Sequence, residues 1–320
     1  MQKQTKLQLM AYGDQAGNGR GIIELTIDDA GCVQQSCIPI HGKANFALVD
    51  GDIMLVPVKE EHGNYLYFYQ NQRLMQRIAV TCFYSHGVKG NAGCYYLASY
   101  EDGVDAVFDT ATMRETCIIH HKRNGCNERS KSHYIGITPD GTYVYGVENG
   151  LQQLYVYKVI DQKLLIHDIV EFDQHEGIRL LPFLNQKHAY LNTELSNCIY
   201  HLRYDSGRFW IAEQYALTSV KEHSFSGGLA ISSDGSLLCA SVRGEDSLSC
   251  FQIHQDGSLS LIDRVVCGRM PRDIQFSDAG IAVTCTMDHV VELYQLVDSR
   301  LVKIQSIPVA QPVTFAITST

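Results

Sequence analysis

The chain has 320 residues, 45% of them hydrophobic, and carries a formal net charge of −9 at pH 7. This acidic balance disfavours a nucleic-acid partner, because binding to phosphates needs a basic surface that outweighs the overall field. No apolar run reaches the roughly 18 residues that span a bilayer, and the N-terminus lacks the apolar core of a signal peptide. We therefore expect a cytoplasmic protein without a membrane or nucleic-acid partner.

The cysteines indicate the redox environment. The chain contains 11 of them, and most lie within apolar strand patterns, where cysteine behaves as a small hydrophobic residue. No pair has the Cys-x-x-Cys spacing of a zinc or redox site. We expect free thiols in a reducing compartment, and the sequence predicts neither a metal nor a cofactor.

The first predicted element is an N-terminal hairpin around a glycine-rich turn, Gly13 to Gly21. A phosphate-binding loop would need a Lys-Ser/Thr pair leading into a helix, whereas Ile22 to Ile27 have the pattern of a strand. We expect the N-terminal strand to join the last repeat of the chain, because this pairing removes two free sheet edges.

Further along the chain, alternating apolar strands are separated by turns at regular intervals. After an abbreviated unit that begins near Ala44 and a further unit from Ser85, the turns fall at Asp140, Asn185, Asp234 and Asp278, with spacings of 45, 49 and 44 residues. This period is typical of a four-stranded β-propeller blade, and the chain has room for about seven of them. We predict an all-β, seven-bladed β-propeller with four-stranded antiparallel blades, forming a single domain over residues 1–320 whose ring is closed by the N-terminal strand.

Equivalent positions of successive blades form a ring around the axis of a propeller. Six ionisable side chains recur at two such positions of the repeat: His86, His133, Arg179, Glu194, Arg243 and Arg272. Arginine presents a planar charged fork that suits carboxylates and phosphates, and histidine can take or give a proton near neutral pH. Each residue alone is compatible with a turn, a cap or an ion pair, but their shared register favours one cleft for a small anionic ligand.

Several stretches of the sequence resemble the seven-bladed β-propeller lactonase family, which includes the propeller type of 6-phosphogluconolactonase and the fungal 3-carboxy-cis,cis-muconate cyclase. They are GNGRGIIELTIDDAG, SHYIGITPDGTYVYGVENG, GIRLLPFLNQKHAYLNTELSNCIY, SSDGSLLCASVRGEDSLSCFQIHQDGSLSLIDRV and PRDIQFSDAGIAVTC. The resemblance implies that the family's cleft residues fall on the same six positions. The chain departs from the family pattern where Lys131 replaces a histidine, and where Ile178, Thr193 and Val242 stand beside the cleft residues.

The resemblance implies hydrolysis of a phosphorylated sugar lactone, as by the 6-phosphogluconolactonase of the pentose phosphate pathway, and thus a role in carbohydrate metabolism. In that scheme Glu194 or His133 is the base, and Arg179 or Arg243 binds the developing oxyanion. The remaining predicted contacts of the substrate are His86, Lys131 and Arg272, the last two with its phosphate.

Two other functions remain open at this stage. A cycloisomerase similar to 3-carboxymuconate cyclase would act on a polycarboxylate with the same residues. A propeller that binds a ligand without catalysis is the other alternative, because a fold does not determine a function. A calcium site is disfavoured, because the neighbouring arginines would oppose a dication.

Overall fold

The structure is a computed structural model that describes residues 4–91, 93–125, 127–218 and 223–318. Regular structure in these ranges consists of β-strands and one 3-10 helix, Thr286–Asp288. The strands of the N-terminal half are β1 (Gln4–Tyr12), β2 (Arg20–Asp28), β3 (Val33–Pro39), β4 (Leu48–Asp50), β5 (Ile53–Glu60), β6 (Gly63–Gln70), β7 (Arg73–Val80), β8 (His86–Lys89), β9 (Cys94–Ser99), β10 (Val104–Asp109), β11 (Arg114–His120), β12 (Ser132–Ile137), β13 (Tyr143–Glu148) and β14 (Gln153–Ile160). Those of the C-terminal half are β15 (Lys163–Glu171), β16 (His188–Asn192), β17 (Cys198–Asp205), β18 (Arg208–Ala216), β19 (Phe225–Ile231), β20 (Leu237–Arg243), β21 (Ser247–Ile253), β22 (Leu259–Val266), β23 (Pro271–Ser277), β24 (Gly280–Cys285), β25 (Val290–Val297), β26 (Arg300–Pro308), β27 (Pro312–Phe315) and β28 (Ile317–Thr318).

The strands of the described ranges form seven sheets, which are divided between two compact units. The first unit comprises residues 1–47 and 217–316 and contains the sheets β27-β1-β2-β3, β19-β20-β21-β22 and β23-β24-β25-β26. The second comprises residues 48–216 and 317–320 and contains the sheets β28-β4-β5-β6-β7, β11-β10-β9-β8, β12-β13-β14-β15 and β16-β17-β18. The assignment of the whole chain to one domain stays a prediction.

Burial differs between the strands of a sheet. Every residue of β9 and β10 is buried, whereas most of β7 is exposed. A strand covered on both faces is expected to be apolar nearly throughout, as Tyr95–Ala98 of β9 is. Apolar side chains from neighbouring sheets form the core, and in the second unit Val156, Leu191 and Leu202 belong to one such cluster. Full burial of each such side chain contributes about 1.5–3 kcal/mol.

The predicted pairing of the N-terminal strand is confirmed. Strand β1 pairs antiparallel with β27, with Leu9 opposite Phe315, so the first strand of the chain lies in a sheet with one of the last. The chain then continues into β28, which pairs parallel with β4 through Ile317 and Leu48. This second pairing was not predicted from the sequence.

Five of the seven sheets have the predicted four strands, and two differ. The unit that begins near Ala44, expected to be short, forms a sheet of five strands because β28 is added to it. The sheet β16-β17-β18 has three strands, and the segment before it makes only the isolated bridges Ile178–Thr193 and Phe183–Ala189. Pro182 lies in this segment, and proline cannot donate to a ladder, which interrupts regular pairing there.

None of the helices in the described ranges has the length and apolar character required to cross a membrane. The ten cysteines that the structure describes are all free thiols.

Candidate functional site

Arg179 contacts two other predicted site residues of the second unit, His133 and Glu194. Nη1 of Arg179 lies 2.7 Å from Nε2 of His133 and 3.5 Å from Oε2 of Glu194. His133 is the second residue of β12, and the other two side chains flank the bridge between Ile178 and Thr193. The predicted convergence of His133, Arg179 and Glu194 is therefore present in the structure, and their catalytic role stays a prediction.

The contact with Arg179 determines the protonation of His133. A guanidinium has hydrogen-bond donors and no acceptor, so Nε2 of His133 must accept the hydrogen bond from Arg179. The imidazole is then neutral, with its proton on Nδ1. In this arrangement Nε2 cannot also take a proton from a water molecule, which leaves the carboxylate of Glu194 as the better base.

Glu194 and Arg179 form an ion pair that is largely shielded from solvent. The side chains of Arg179 and Glu194 are 8% and 18% exposed. Nδ2 of Asn149 also donates to Oε2 of Glu194, over 3.4 Å. Charges interact more strongly where water is excluded. The pair therefore holds a positively charged guanidinium and a carboxylate in fixed positions next to each other.

Two amides that follow β13 hold the segment that carries Arg179. Nδ2 of Asn149 donates to the carbonyl of Ile178 over 3.1 Å, and Oε1 of Gln152 accepts from the N–H of Gly177 over 2.8 Å. Gln152 also donates to the carbonyl of Asn149 over 2.6 Å. These bonds replace part of the strand pairing that the interrupted segment lacks. Neither amide was identified from the sequence, where the only signal is a polar pair after an apolar strand.

A buried network anchors the strand that carries His133. Ser132, the residue before it, donates through Oγ to Oδ1 of Asp105 over 2.5 Å. The other carboxylate oxygen of Asp105 accepts from the hydroxyl of Tyr157 over 2.8 Å and lies 3.2 Å from Nε2 of His121. Ser132 and Asp105 are fully buried. Because an unsatisfied buried carboxylate is costly, this network restricts the position of β12.

Lys131 stands beside the same group of residues. Its Nζ lies 5.7 Å from the ring centroid of Tyr100, whose ring packs edge-on against His133 at 5.6 Å. The backbone N–H of Lys131 donates to the buried carboxylate of Glu148, which also accepts from the N–H of Leu151. Burial raises the pKa of Glu148, and these backbone donors oppose the rise. Glu148 therefore joins the backbone just before β12 to the loop just after β13.

His86 lies at the start of β8, and its predicted contact with a substrate stays a prediction. Its Nδ1 accepts from the N–H of Ile135 over 3.3 Å, and its ring packs against that of Tyr134, tilted by 31°, with centroids 4.0 Å apart. Part of the side chain is accessible, yet the protein packed around the ring lowers the pKa of His86 to about 3. The imidazole is therefore neutral at physiological pH.

Replacing His86 with Asn is expected to make folding less sensitive to acid. The folded-state pKa is about 3 and the ordinary value is 6.5, so between these pH values only the unfolded state gains the proton. The free energy of unfolding of the wild type should therefore decrease as the pH falls, by up to about 1.4 kcal/mol per pH unit. An Asn amide oxygen can still accept from Ile135 but does not titrate.

Urea unfolding at neutral and acid pH measures this difference. His62→Asn is the matched control, because it makes the same change at a side chain that is 84% exposed. Equal pH dependence in the wild type and in His86→Asn would contradict the assignment.

The other two arginines of the prediction, Arg243 and Arg272, lie in the first unit. Arg243 ends β20, is buried, and donates through Nη2 to the carbonyl of Ser226 over 2.8 Å. Arg272 is the second residue of β23, and its guanidinium carbon lies 6.0 Å from the ring centroid of Tyr12. Their part in ligand binding stays a prediction from the sequence.

A metal site would need several ligand side chains close together. In the ranges given above, no three His, Cys, Asp or Glu side chains lie near enough to one another to hold a metal ion.

Comparison with known proteins identifies the class of this chain. The sequence profile described as "Lactonase, 7-bladed beta-propeller" matches residues 71–317, which is most of the chain. Together with the seven sheets, this match confirms the seven-bladed β-propeller fold. The chain belongs to the seven-bladed β-propeller lactonase family.

Solved structures share the fold over nearly the whole chain. A protein from Lactobacillus plantarum is 23% identical, with a TM-score of 0.87 and coverage of 99% of both chains. A periplasmic gluconolactonase from Pseudomonas aeruginosa is 19% identical, with a TM-score of 0.85 and coverage of 98% of both chains. At these identities the likeness establishes the fold alone.

Curated relatives have higher identity over shorter regions. The 6-phosphogluconolactonase of Bacillus subtilis is 30% identical over 193 residues, which are 56% of this chain and 55% of that protein. An uncharacterized protein of Staphylococcus saprophyticus is 34% identical over 177 residues, 52% of this chain and 51% of that protein. The chain thus spans about half the length of the curated relatives it matches.

Proposed function

We propose that this protein hydrolyses a phosphorylated sugar lactone of the 6-phosphogluconolactone type. The observation that carries the proposal is the contact of Arg179 with both His133 and Glu194, which combines a cation, a carboxylate and an oriented imidazole. Family membership and the similarity to the 6-phosphogluconolactonase of Bacillus subtilis support the choice of reaction.

The reaction needs a base, a positioned water molecule and a cation near the carbonyl oxygen. Glu194 takes a proton from water as the oxygen of that water bonds to the lactone carbonyl carbon. The guanidinium of Arg179 stabilises the negative charge that develops on the carbonyl oxygen. When the ring C–O bond breaks, Glu194 returns the proton to the leaving oxygen, and the product is the open hydroxy acid.

In this mechanism His133 is a positioning residue. Because its Nε2 accepts from Nη1 of Arg179, the imidazole holds the guanidinium in one orientation without competing for a proton. Effective electrostatic catalysis depends on such prior orientation of the charged group. The packing of Tyr100 against the imidazole restrains it in turn.

The phosphate of the substrate is assigned to the side of the candidate site where Lys131 lies. A small cavity of about 90 Å³ lies next to it and is lined by Arg123, Lys131, Asn149 and His175, among other residues. Arg123 is engaged with Glu171 at 3.2 Å and with the carbonyl of Leu151 at 2.9 Å. The ammonium of Lys131 is therefore the better candidate for direct contact with a phosphate.

The test of this function is the hydrolysis of freshly prepared 6-phosphoglucono-δ-lactone above its spontaneous rate, with glucono-δ-lactone measured in parallel. An excess rate that is larger for the phosphorylated lactone supports the proposal. A protein that accelerates neither lactone is not a lactonase for this substrate class, and one that prefers the unphosphorylated compound contradicts the phosphate assignment.

Replacing Lys131 with Gln is expected to raise KM for the phosphorylated lactone by about 10- to 100-fold, the usual effect of losing one hydrogen bond to a charged group. Hydrolysis of glucono-δ-lactone should be unaffected, because that substrate has no phosphate. Steady-state kinetics with both lactones measure the difference. Lys163→Gln, at an exposed position of β15, is the control. An equal loss with both substrates would show that Lys131 does not bind the phosphate.

Arg243 and Arg272 are retained as further anion-binding residues, and a cytoplasmic location and a small anionic substrate are retained as expectations. The cycloisomerase and the non-catalytic propeller remain alternatives, and the lactone assay separates both from a hydrolase.

A further inference from the structure

A second pocket of the second unit lies at the opposite end of the strands from the candidate site. It has a volume of about 430 Å³ and is lined by the start of β16, the hairpin of β17 and β18, and the turn at Asp140. The candidate site lies instead at the start of β12 and beyond the end of β16. Pockets that bind small molecules commonly have volumes of about 300–1,000 Å³.

Three side chains of this pocket form a row across the sheet. His188 of β16 is directly opposite Arg203 of β17, and Arg203 is directly opposite Trp210 of β18. Directly opposed residues of antiparallel strands point to the same face and are close neighbours. All three line the pocket, so strand register alone brings an imidazole, a guanidinium and an indole together.

The aromatic member of this row is exposed to solvent. Trp210 is 47% exposed and is the only tryptophan in the sequence. Among the residues that the structure describes, neither the indole N–H of Trp210 nor the guanidinium of Arg203 makes a hydrogen bond or an ion pair within the protein. An indole combines a large apolar face with one donor, and both groups are available to a ligand.

The charges around the indole cancel. The pocket contains the cations Lys187 and Arg203 and the anions Asp140 and Asp205. Oδ2 of Asp140 accepts from the hydroxyl of Tyr204 over 3.3 Å, which orients that carboxylate. A strongly charged ligand would be repelled by one half of this set, whereas a neutral ligand with many hydroxyl groups can donate to the carboxylates and accept from the cations.

We propose that this pocket binds a neutral saccharide, with a sugar ring packed on the indole of Trp210 and its hydroxyl groups bound by Arg203 and Asp205. A sugar ring has an apolar face of C–H groups and a rim of hydroxyls, which matches an indole beside charged donors and acceptors. The site is separate from the proposed lactone site and does not depend on that activity.

The single tryptophan provides a direct test, because all tryptophan fluorescence comes from this pocket. The full-length protein is titrated with glucose, galactose, maltose and cellobiose, and the emission of Trp210 is followed. We expect a saturable change with at least one of these sugars, confirmed by isothermal titration calorimetry. Gluconate 6-phosphate is the charged comparison and should bind more weakly than the neutral sugar.

Substitutions test whether the sugar binds in this pocket. Arg203→Met should weaken the affinity for the bound sugar about tenfold or more, because a charged donor is lost, while Trp210 still reports. Arg114→Met, at an exposed position of β11 that does not line the pocket, should bind like the wild type. Absence of both a fluorescence change and binding heat with all four sugars would overturn the proposal, as would unchanged affinity in Arg203→Met.

Discussion

Replacing Glu194 with Gln is expected to lower kcat for hydrolysis of 6-phosphoglucono-δ-lactone by about 10²- to 10⁴-fold, the usual contribution of a general base. The substitution preserves the shape of the side chain and its hydrogen bond with Asn149, but the amide cannot take a proton from water. KM should not rise, because the charge beside Arg179 that opposes an anionic substrate is removed. Initial rates above the spontaneous hydrolysis measure both constants.

The control for this substitution is Glu61→Gln, which removes the same charge from a side chain that is 88% exposed. It should have the activity of the wild type. If Glu194→Gln retained its kcat, the base would have to be sought elsewhere, with His133 as the next candidate after release of its Nε2 from Arg179. A rise in KM with unchanged kcat would assign Glu194 to binding rather than to proton transfer.

Replacing Arg179 with Ala is expected to lower kcat/KM by about 10²- to 10³-fold, because the cation that stabilises the developing oxyanion is lost. The change also leaves the carboxylate of Glu194, only 18% exposed, without its cation. Breaking a buried ion pair from one side costs about 3–5 kcal/mol of folding free energy when burial is complete. The loss of stability should therefore be smaller than this here, and urea unfolding measures it.

Chemical rescue distinguishes the loss of the guanidinium from a general structural defect. Added guanidinium ion at concentrations well below those that unfold the protein should restore part of the activity of Arg179→Ala. Arg77→Ala provides the matched control, because Arg77 forms an exposed ion pair with Glu60 at 2.6 Å, with 43% of its side chain accessible. Wild-type kcat/KM in Arg179→Ala would contradict a role for the cation in the reaction.

The positions of residues within the sequence repeat predicted part of the candidate site. His133 and Arg179 occupy the same position in successive repeats, and Glu194 occupies the second recurring position in the repeat of Arg179. The family resemblance points to the same residues. The structure places their side chains in contact. Register predicts such convergence because every blade presents the same strand end to the same face. The pairing that makes His133 neutral depends on ångström-scale distances, which a spacing pattern does not contain.

Other parts of the structure depend on contacts between residues far apart in the chain. His86 contacts the N–H of Ile135 and the ring of Tyr134 in the next sheet, and nothing in the sequence near His86 indicates these partners. The same holds for Gln152, whose amide holds the segment before Arg179. The pocket around Trp210 was also not predicted, because it depends on which residues stand opposite one another in β16, β17 and β18.

The sequence by itself determined the all-β class, the approximate number of sheets and the place of most turns, because apolar alternation and turn residues act over a few positions. It also determined that β1 would complete a sheet, since an open sheet edge is unfavourable. Only the tertiary structure decided that one sheet has three strands and another five, and that His133 accepts a hydrogen bond from Arg179. It also decided that the exposed indole of Trp210 lies in a pocket with two cations and two anions. These features arise from packing and strand register between distant segments, where differences of a single residue or of less than an ångström change which atoms meet.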